Sequence, residues 1–305
     1  MRQTIEEKLL RLVQLYTFNT PVSKGKYRIY QSALSLCSTR PRSLQVKLRD
    51  GRRFYANLTT GMQETVFFIG EFERVLSEIA LRLIGPGDVC IDAGANFGWY
   101  TSLMASCANA REVHAFEPTP RSFFELQRNH ELMGSPANVV LNNLALGDSK
   151  GIVQIHLFEG LGTGNASLSA KEDVVSEVFD CEMVTLNEYL EKREIEIVDF
   201  VKVDIEGAEL MFLRGADKLF DQPVPPIFLI EMAAEQTRNF GYGPNDLVRF
   251  ISDRADYDFF AVDEYRGTVR AIQGFGEDEI GANVFCIPKN GSDENRRIIQ
   301  EYLVN

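Results

Sequence analysis

The ten residues from Val89 to Gly98, VCIDAGANFG, constrain the fold more than any other stretch of the chain. An apolar run ends on Asp92, and a turn with Gly94 and Gly98 follows before an apolar helical run begins at Trp99. This order predicts a buried parallel strand, a tight glycine turn and a helix N-terminus. Such a turn brings backbone N–H groups close to a ligand at the carboxyl edge of a sheet. We therefore expect the chemistry of this chain to lie beside Gly94.

Strand-like and helix-like segments alternate from residue 88 onward, with strands predicted at Asp88–Asp92, Glu112–Glu117 and Val198–Asp204 among others. Repeated crossovers of this kind predict an α/β fold with a doubly wound, right-handed parallel sheet. In front of it, the apolar spacing of Thr4–Tyr16 predicts a helix, and alternating residues around Asp50-Gly51 predict a β-hairpin. The sequence thus predicts a small helical and hairpin extension before the main domain.

Charge is divided unevenly along the sequence. Residues 1–87 carry 14 Lys and Arg against 7 Asp and Glu, whereas residues 88–305 carry 18 against 37. An acidic main domain repels a phosphate backbone, so we expect no nucleic-acid partner. The basic segment, residues 1–87, is either a solvated surface or a contact surface for an anionic lipid, a glycan or a protein partner.

Several sequence features bear on the cellular compartment. No apolar run approaches the roughly 18 residues that a membrane-spanning helix needs. Charged residues at Glu6, Glu7, Lys8 and Arg11 interrupt the start of the chain, so we expect no signal peptide. The five cysteines lack paired spacing, and free thiols in a reducing cytoplasm are the expectation.

The glycine turn reads Asp-x-Gly-x-Asn-x-Gly, which suits a dinucleotide or S-adenosylmethionine. Glu117 follows the turn by about twenty residues, where an acid accepts the ribose hydroxyls of either ligand. Asp92 separates the two, because a carboxylate binds the ammonium group of a methionine moiety and repels a pyrophosphate. The alternative is that Asp92 merely caps the turn.

A second signature, DFVKVDIEGAEL, covers Asp199–Leu210. Apolar residues build a strand that Lys202, Asp204 and Glu206 interrupt. Because unpaired charges are costly to bury, these three side chains are expected at the carboxyl end of the strand, facing the ligand crevice. A purely structural pair of Lys202 with Asp204 or Glu206 is the alternative.

Taken together, seven segments resemble the FkbM family of S-adenosylmethionine-dependent methyltransferases. In chain order they are IDAGANFGWYT, AFEPTP, GNASL, VTLNEYL, VDFVKVDIEGAELMFLRGA, LIEM and NVFCIP. The resemblance covers roughly Phe72–Pro288, and it implies a class I methyltransferase (Rossmann-like) sheet of seven strands with the last strand antiparallel. It also implies methyl transfer to a hydroxyl of a small molecule, a sugar or glycan, or a polyketide-type product. Residues 71–305 are then the methyltransferase domain, and residues 1–70 the extension.

The expected cofactor is S-adenosyl-L-methionine. The residues predicted around its methionine end are Asp92, Gly94, Ala95, Asn96 and Gly98. Glu117 is predicted at the ribose, and Asn142 and Asn143 at the adenine edge, although both asparagines also suit a turn. Glu73 either reaches the cofactor or favours a helix N-terminus.

Methyl transfer to an alcohol needs a base or a metal to take up the proton. Asp204 is the first candidate, with Glu206 and Glu231 as other carboxylates at neighbouring strand ends and Lys202 orienting the acid. Asp204 and Glu231 are also the candidate ligands for a divalent cation such as Mg²⁺ if the reaction uses one. The loop at 160–169, with Asn165 and Ser167, is a candidate lid, and a plain surface turn is the alternative.

Three other functions remain open from the residues alone. They are a methyltransferase-fold scaffold that binds the cofactor without catalysis, a nicotinamide-dependent oxidoreductase, and a methyltransferase acting on nucleic acid or protein. The amphipathic first helix and the basic hairpin are expected to pair two chains as a homodimer or to cover the acceptor cleft.

Overall fold

The computed structural model describes residues 2–20, 25–37, 43–158, 166–167, 176–276 and 279–303. The chain forms two compact units. The first comprises Met1–Phe72 with Arg128–Gly134, and the second comprises Glu73–Gln127 with Ser135–Asn305.

Helices and one hairpin build the first unit. Its elements are α1 (Arg2–Asn19), α2 (Lys26–Leu36), β1 (Leu44–Lys47), β2 (Arg53–Ala56) and α3 (Gly61–Ile69). The strands pair antiparallel with Leu44 opposite Ala56, and Gly51 in the connecting turn has φ +94°. The predicted first helix and hairpin are therefore confirmed. The periodicity of the sequence did not predict α2 and α3. In α3 the adjacent residues Val66, Phe67 and Phe68 are all buried, which obscures a one-sided apolar pattern.

A mostly parallel sheet forms the centre of the second unit. In the described part of the chain it has eight strands in the order β13-β12-β14-β11-β10-β3-β4-β5. Their bounds are β3 (Val89–Ala93), β4 (Glu112–Phe116), β5 (Val139–Asn142), β10 (Phe200–Val203), β11 (Ile227–Ala233), β12 (Tyr257–Asp263), β13 (Thr268–Ile272) and β14 (Gly281–Pro288). The last strand, β14, is antiparallel to both of its neighbours, β11 and β12. These features confirm the class I methyltransferase fold, and β13 adds an edge strand to the seven expected.

Helices connect these strands. They are α4 (Arg74–Leu83), α5 (Trp99–Ser102), α6 (Pro120–Leu132), α7 (Leu186–Lys192), α8 (Glu209–Gly215), α9 (Ala234–Arg238), α10 (Pro244–Ser252) and α11 (Asp293–Gln300). A π-helical segment, Leu103–Cys107, continues α5, and a 3₁₀ segment, Asp217–Asp221, follows α8. None of the described helices is both long and apolar enough to span a membrane.

A smaller sheet lies between β5 and α7 in the chain. Its strands are β6 (Ala145–Leu146), β7 (Gly151–Phe158), β8 (Ala166–Ser167) and β9 (Ser176–Val184), in the order β6-β9-β7-β8. The sequence predicted strands close to β7 and β9 but gave no indication that they leave the main sheet. The candidate lid residue Asn165 and the side chain of Ser167 lie outside the described residues.

The strand order positions the site. β3 lies between β10 and β4, and all three run parallel. The strand order therefore reverses at β3, with β4 on one side of it and β10 on the other. Open α/β sheets bind ligands at a switch point of this type. Every residue of β3 and β10 is buried, including Asp92 and Lys202. The five cysteines are all free thiols, as expected.

Candidate active site

The glycine turn after β3 lies directly against the end of β10. Gly94 has φ +84°, and a Cβ atom added there would lie 1.9 Å from the carbonyl oxygen of Asp204. Only glycine fits this conformation and this contact without strain. The backbone N–H of Asp204 in turn donates to the carbonyl oxygen of Ala93 at 3.1 Å. The sequence signature around Asp92 and the signature around Asp204 thus meet in space.

Asp92 is almost fully buried and only partly satisfied. Its Oδ2 accepts a hydrogen bond from the Thr101 hydroxyl at 2.6 Å, whereas its Oδ1 has no hydrogen-bond partner among the described residues. Asn96, in the same turn at φ +49°, also has a buried Oδ1 without a partner in the described part of the chain. Burial raises the pKa of Asp92, and the nearby Lys202 ammonium opposes that rise. The turn therefore holds two buried acceptors that a bound donor could satisfy.

The backbone N–H groups of this turn are already used within the protein. Those of Gly94 and Ala95 both donate to the carbonyl oxygen of Phe116, at 3.0 and 2.9 Å, and that of Gly98 donates to Ala95. Gly98 has φ +93° and would place a Cβ 2.8 Å from Leu126. These glycines shape the turn, and the Oδ1 atoms of Asp92 and Asn96 are buried acceptors without a hydrogen-bond partner among the described residues.

Glu117 joins this turn to the one after β4. Its Oε2 accepts from the Asn96 backbone N–H at 2.9 Å, and its Oε1 accepts from the Thr119 N–H and hydroxyl at 2.9 and 2.6 Å. Burial raises the pKa of Glu117, and the hydrogen bonds from Thr119 oppose that rise. The carboxylate still has lone-pair capacity, because its two oxygens offer about four acceptor positions.

Both candidate adenine residues stabilise the backbone at the ends of β4 and β5. The Asn142 amide donates to the carbonyl oxygen of Ala115 at 3.1 Å. The Asn143 amide donates to the carbonyl oxygens of Glu117 and Pro118 at 2.8 and 3.0 Å. The turn-forming alternative is therefore visible in the structure, and contact with a cofactor stays a prediction.

Lys202 lies at the centre of the buried charges. It is opposite Asp92 on the neighbouring strand, and its Nζ donates to Asp204 Oδ2 at 2.8 Å. The ammonium also lies 4.8 Å from the ring centre of Tyr100. Burial alone would lower the pKa of Lys202, but the carboxylates of Asp204, Asp92 and Glu73 outweigh it and raise the pKa. Lys202 therefore stays protonated and supplies the positive charge of the site.

Asp204 is a partly exposed acid of this group. One third of its side chain is exposed, compared with 5% for Lys202. Burial alone would raise the pKa of Asp204, but Lys202 outweighs it and the pKa falls below its ordinary value. Asp204 is therefore ionised at neutral pH.

Glu231, near the end of β11, is hydrogen-bonded to Asp204. Burial, followed by the carboxylates of Asp204 and Glu206, raises the pKa of Glu231 to about 10. Glu231 is therefore neutral at pH 7 and donates to the ionised Asp204. Asp204 and Glu231, the two candidate metal ligands, therefore interact with each other. The described residues contain no group of three His, Cys, Asp or Glu side chains that could hold a metal ion.

Glu73 lies at the start of α4 but does not cap it. Its carboxylate accepts the Tyr100 hydroxyl hydrogen bond at 2.7 Å, and Glu264 instead accepts from the N–H groups of Val75 and Leu76 at 2.8 and 3.2 Å. Burial raises the pKa of Glu73 to about 7, with Lys202 opposing the rise. Glu73 is the N-cap residue of α4, but its side chain makes no capping hydrogen bond. A contact of Glu73 with the cofactor stays a prediction.

Glu206 follows Asp204 in the turn before α8, with φ +56°. A second acid of this motif, Glu209, is buried and holds the turn. Its Oε1 accepts from the N–H groups of Ile205 and Gly207 at 3.2 and 3.0 Å. The Tyr242 hydroxyl donates to the Gly207 carbonyl oxygen at 2.6 Å and lies 3.1 Å from Glu209 Oε2. Neither Glu209 nor Tyr242 was predicted from the sequence. The acidic repeat in DIEGAEL pointed to Glu209, whereas nothing in the sequence pointed to Tyr242.

The histidines lie apart from this network. His114 is buried in β4, with Nδ1 2.8 Å from the Tyr189 hydroxyl and Nε2 3.1 Å from Glu112 Oε1. Burial lowers its pKa, so it is a neutral core residue. His156 lies on β7 in the smaller sheet, opposite Ser167.

Comparison with known proteins agrees with this geometry. The family model for the methyltransferase FkbM domain matches residues 92–259, which is more than half of the chain. The chain belongs to the FkbM methyltransferase family. The match begins at Asp92 and includes the turn at Gly94, Lys202, Asp204 and Glu231.

Individual relatives are distant. The chain is 26% identical over 202 residues to a hexuronic acid methyltransferase, AglP, of Haloferax volcanii, covering 66% of this chain and 77% of the relative. It is 24% identical over 162 residues to the 31-O-demethyl-FK506 methyltransferase FkbM of Streptomyces tacrolimicus, covering 43% of this chain and 60% of the relative. Among solved structures, methyltransferase FkbM from Methylobacillus flagellatus aligns with a TM-score of 0.43 and 14% identity, over 67% of this chain and 44% of that one.

Proposed function

We propose that this protein is an S-adenosylmethionine-dependent O-methyltransferase that acts on a hydroxyl of a small molecule, a sugar or glycan, or a polyketide-type product. Family membership and the names of two relatives, one for hexuronic acid and one for 31-O-demethyl-FK506, support this class of acceptor. The observation that carries the proposal is the position of Asp204, whose backbone carbonyl oxygen lies against the glycine turn at Gly94 and whose ionised carboxylate is partly exposed.

The residues around the glycine turn fit S-adenosylmethionine. The unpaired Oδ1 atoms of Asp92 and Asn96 are acceptors for the ammonium group of its methionine end. Gly94, Ala95 and Gly98 would shape the backbone around that end, Glu117 would accept from the ribose, and Asn142, Asn143 and Glu73 would complete the contacts. When bound, the cofactor supplies a methyl group on a positively charged sulfur.

The chemistry requires one proton transfer and one displacement. The bound cofactor would supply the methyl group and its sulfur would keep the electron pair of the broken carbon–sulfur bond, while the residues of the chain would align the acceptor oxygen and take up its proton. The hydroxyl proton passes to Asp204, which is ionised because Lys202 holds it. Glu231 donates a hydrogen bond to Asp204 and so orients the carboxylate. Because the lowered pKa makes Asp204 a weak base, alignment of the hydroxyl contributes much of the rate.

Replacement of Asp204 tests the proposal. Asp204→Asn removes the proton acceptor but keeps the size of the side chain, so we expect methyl transfer to fall on the order of 10²–10⁴-fold. Calorimetric titration with S-adenosylmethionine should give nearly unchanged affinity. Turnover is measured with isotopically labelled methyl donor on a panel of uronic acids, glycans and hydroxylated macrolides. Asp221→Asn, an exposed change elsewhere in this unit, is the control and should keep the wild-type rate.

Each contrary result has a defined meaning. Full turnover of Asp204→Asn removes Asp204 from the mechanism. Cofactor binding without labelled product on any hydroxyl acceptor favours a scaffold that binds without catalysis. Binding of NADH in place of S-adenosylmethionine contradicts the proposal and favours an oxidoreductase.

A further inference from the structure

Helix α1 of the first unit presents an apolar face to solvent. The exposed apolar side chains are Ile5 (61%), Leu9 (36%), Leu12 (65%), Leu15 (60%) and Tyr16 (55%). At 3.6 residues per turn they fall within an arc of about 120° on one side of the helix. Leu10 and Thr17, on the other side of the same helix, are fully buried. The exposed side chain of Lys8 lies within the same arc, so this face combines five apolar side chains with one cation. An exposed apolar surface of this kind marks a site of interaction.

Helix α2 adds exposed apolar residues to the same unit. Tyr27 is 63% exposed and Leu36 is 75% exposed, although Tyr30 and Leu34 between them are buried. The first unit therefore leaves large apolar side chains of both helices exposed.

The hairpin of this unit is basic on its outward side. Lys47 and Arg53 are directly opposite each other on β1 and β2, and both side chains are exposed. Like charges in this position repel each other. Within the described residues neither side chain has an ion-pair partner. Arg128 adds a third cation, since its guanidinium lies 3.6 Å from the ring centre of Tyr55. This arrangement costs stability unless an anionic surface compensates it.

Basic side chains also join the hairpin to α1. Arg11 of α1 donates to the carbonyl oxygen of Gln45 on β1 at 2.5 Å. Arg49, in the hairpin turn, donates to the carbonyl oxygen of Phe18 at the end of α1, and its guanidinium lies over the Phe18 ring. The apolar helix and the basic hairpin are thus neighbouring parts of one unit.

We propose that the first unit docks on a lipid bilayer that carries anionic headgroups. The apolar face of α1 would enter the headgroup boundary while Lys47 and Arg53 of the hairpin contact lipid phosphates. Residues 1–72 contain 12 Lys and Arg and 5 Asp and Glu, a net charge of +7. A second copy of the chain is the competing occupant, but it would bring two +7 units together. An anionic glycan would leave the exposed leucines in water.

Vesicle sedimentation with the full chain tests this inference. We expect binding to vesicles of phosphatidylcholine mixed with phosphatidylglycerol, weakened by added salt, and little binding to phosphatidylcholine alone. Lys47→Gln with Arg53→Gln should weaken binding by about fivefold for each charge removed. Arg249→Gln with Arg266→Gln removes two exposed charges from the second unit and should leave binding unchanged.

A second pair of variants tests the apolar contribution and the competing occupant. Leu12→Gln with Leu15→Gln should reduce binding to the anionic vesicles and leave the circular dichroism spectrum unchanged, because both side chains are exposed. Equal binding to neutral and anionic vesicles, or binding that neither pair of variants reduces, overturns the proposal. So does a dimeric mass in light scattering that becomes monomeric in Leu12→Gln with Leu15→Gln, since a second copy then covers this face.

Discussion

At the scale of single residues, one lysine compensates several buried acids. Lys202 lies opposite Asp92, donates to Asp204 and lowers the pKa of Glu73. One ammonium group cannot neutralise every carboxylate around it. Glu231 keeps its proton, and this reduces the negative charge of the cluster. The alternating charges in VKVDIEGAE therefore belong to a buried network of interacting acids and one lysine. Removal of any one of these side chains would change the pKa values of the others.

The pKa of Glu73 makes stability depend on pH in a defined window. Its pKa rises from an ordinary value of 4.5 to about 7 in the folded protein, because the carboxyl is buried. The folded state therefore binds this proton more tightly than the unfolded state does. The stabilisation is fully present below pH 4.5 and is lost as the pH rises to about 7. Glu231 also has a raised pKa and contributes its own decline, so Glu73→Gln should show a smaller decline than the wild type when the free energy of unfolding is measured in urea across that range.

The control for this prediction is Glu196→Gln, at an exposed position. It should retain the decline of the wild type. If Glu73→Gln and the wild type show the same change in unfolding free energy between pH 4.5 and pH 7, Glu73 does not titrate in that window.

At the scale of elements, the turn between β10 and α8 depends on a residue from another part of the chain. Glu209 accepts two backbone N–H groups of the turn, and Tyr242 binds the Gly207 carbonyl oxygen. The turn carries Asp204 and Glu206 at its start. Tyr242 therefore acts as a positioning residue for the candidate base.

Tyr242→Phe tests this role. Loss of the hydroxyl leaves the Gly207 carbonyl oxygen and the Leu210 N–H without their partner, which costs about 1–3 kcal/mol in unfolding free energy. We also expect lower kcat with nearly unchanged affinity for S-adenosylmethionine, because Asp204 is less well aligned. Tyr257→Phe removes a comparable buried hydrogen bond, to the carbonyl oxygen of Pro226. That control should lose stability but keep kcat, and equal losses of kcat in both variants would refute a specific role for Tyr242.

The sequence predicted much of the site because strand ends carry its acids. Asp92, Asp204 and Glu231 each follow an apolar run, and parallel strands bring such ends to one edge. The sequence could not predict contacts between distant segments, such as Tyr242 with the turn at Gly207. It also could not show that β7 and β9 leave the main sheet, because alternation identifies a strand but not its partners.

At the scale of the whole molecule, the chain does not divide at one position. The first unit includes Arg128–Gly134, so α6 begins in the second unit and ends in the first. Within the first unit, Asn129 is fully buried and its Oδ1 accepts the backbone N–H of Tyr55 at 2.8 Å. We infer that removal of residues 1–70, at the boundary that the sequence suggests, would leave the end of α6 without its partners.

Hydrogen exchange can test this dependence in two ways. In a chain lacking residues 1–70, the amides of residues 128–134 should exchange faster than in the full chain, whereas those of β3 should stay protected. In the full chain, Asn129→Ala leaves the Tyr55 N–H unpaired and should lower the unfolding free energy by about 1–3 kcal/mol. Glu131→Ala, at an exposed position of the same helix, should change it by less than about 0.5 kcal/mol. Unchanged exchange at residues 128–134 after the deletion would mean that α6 keeps its structure without the extension.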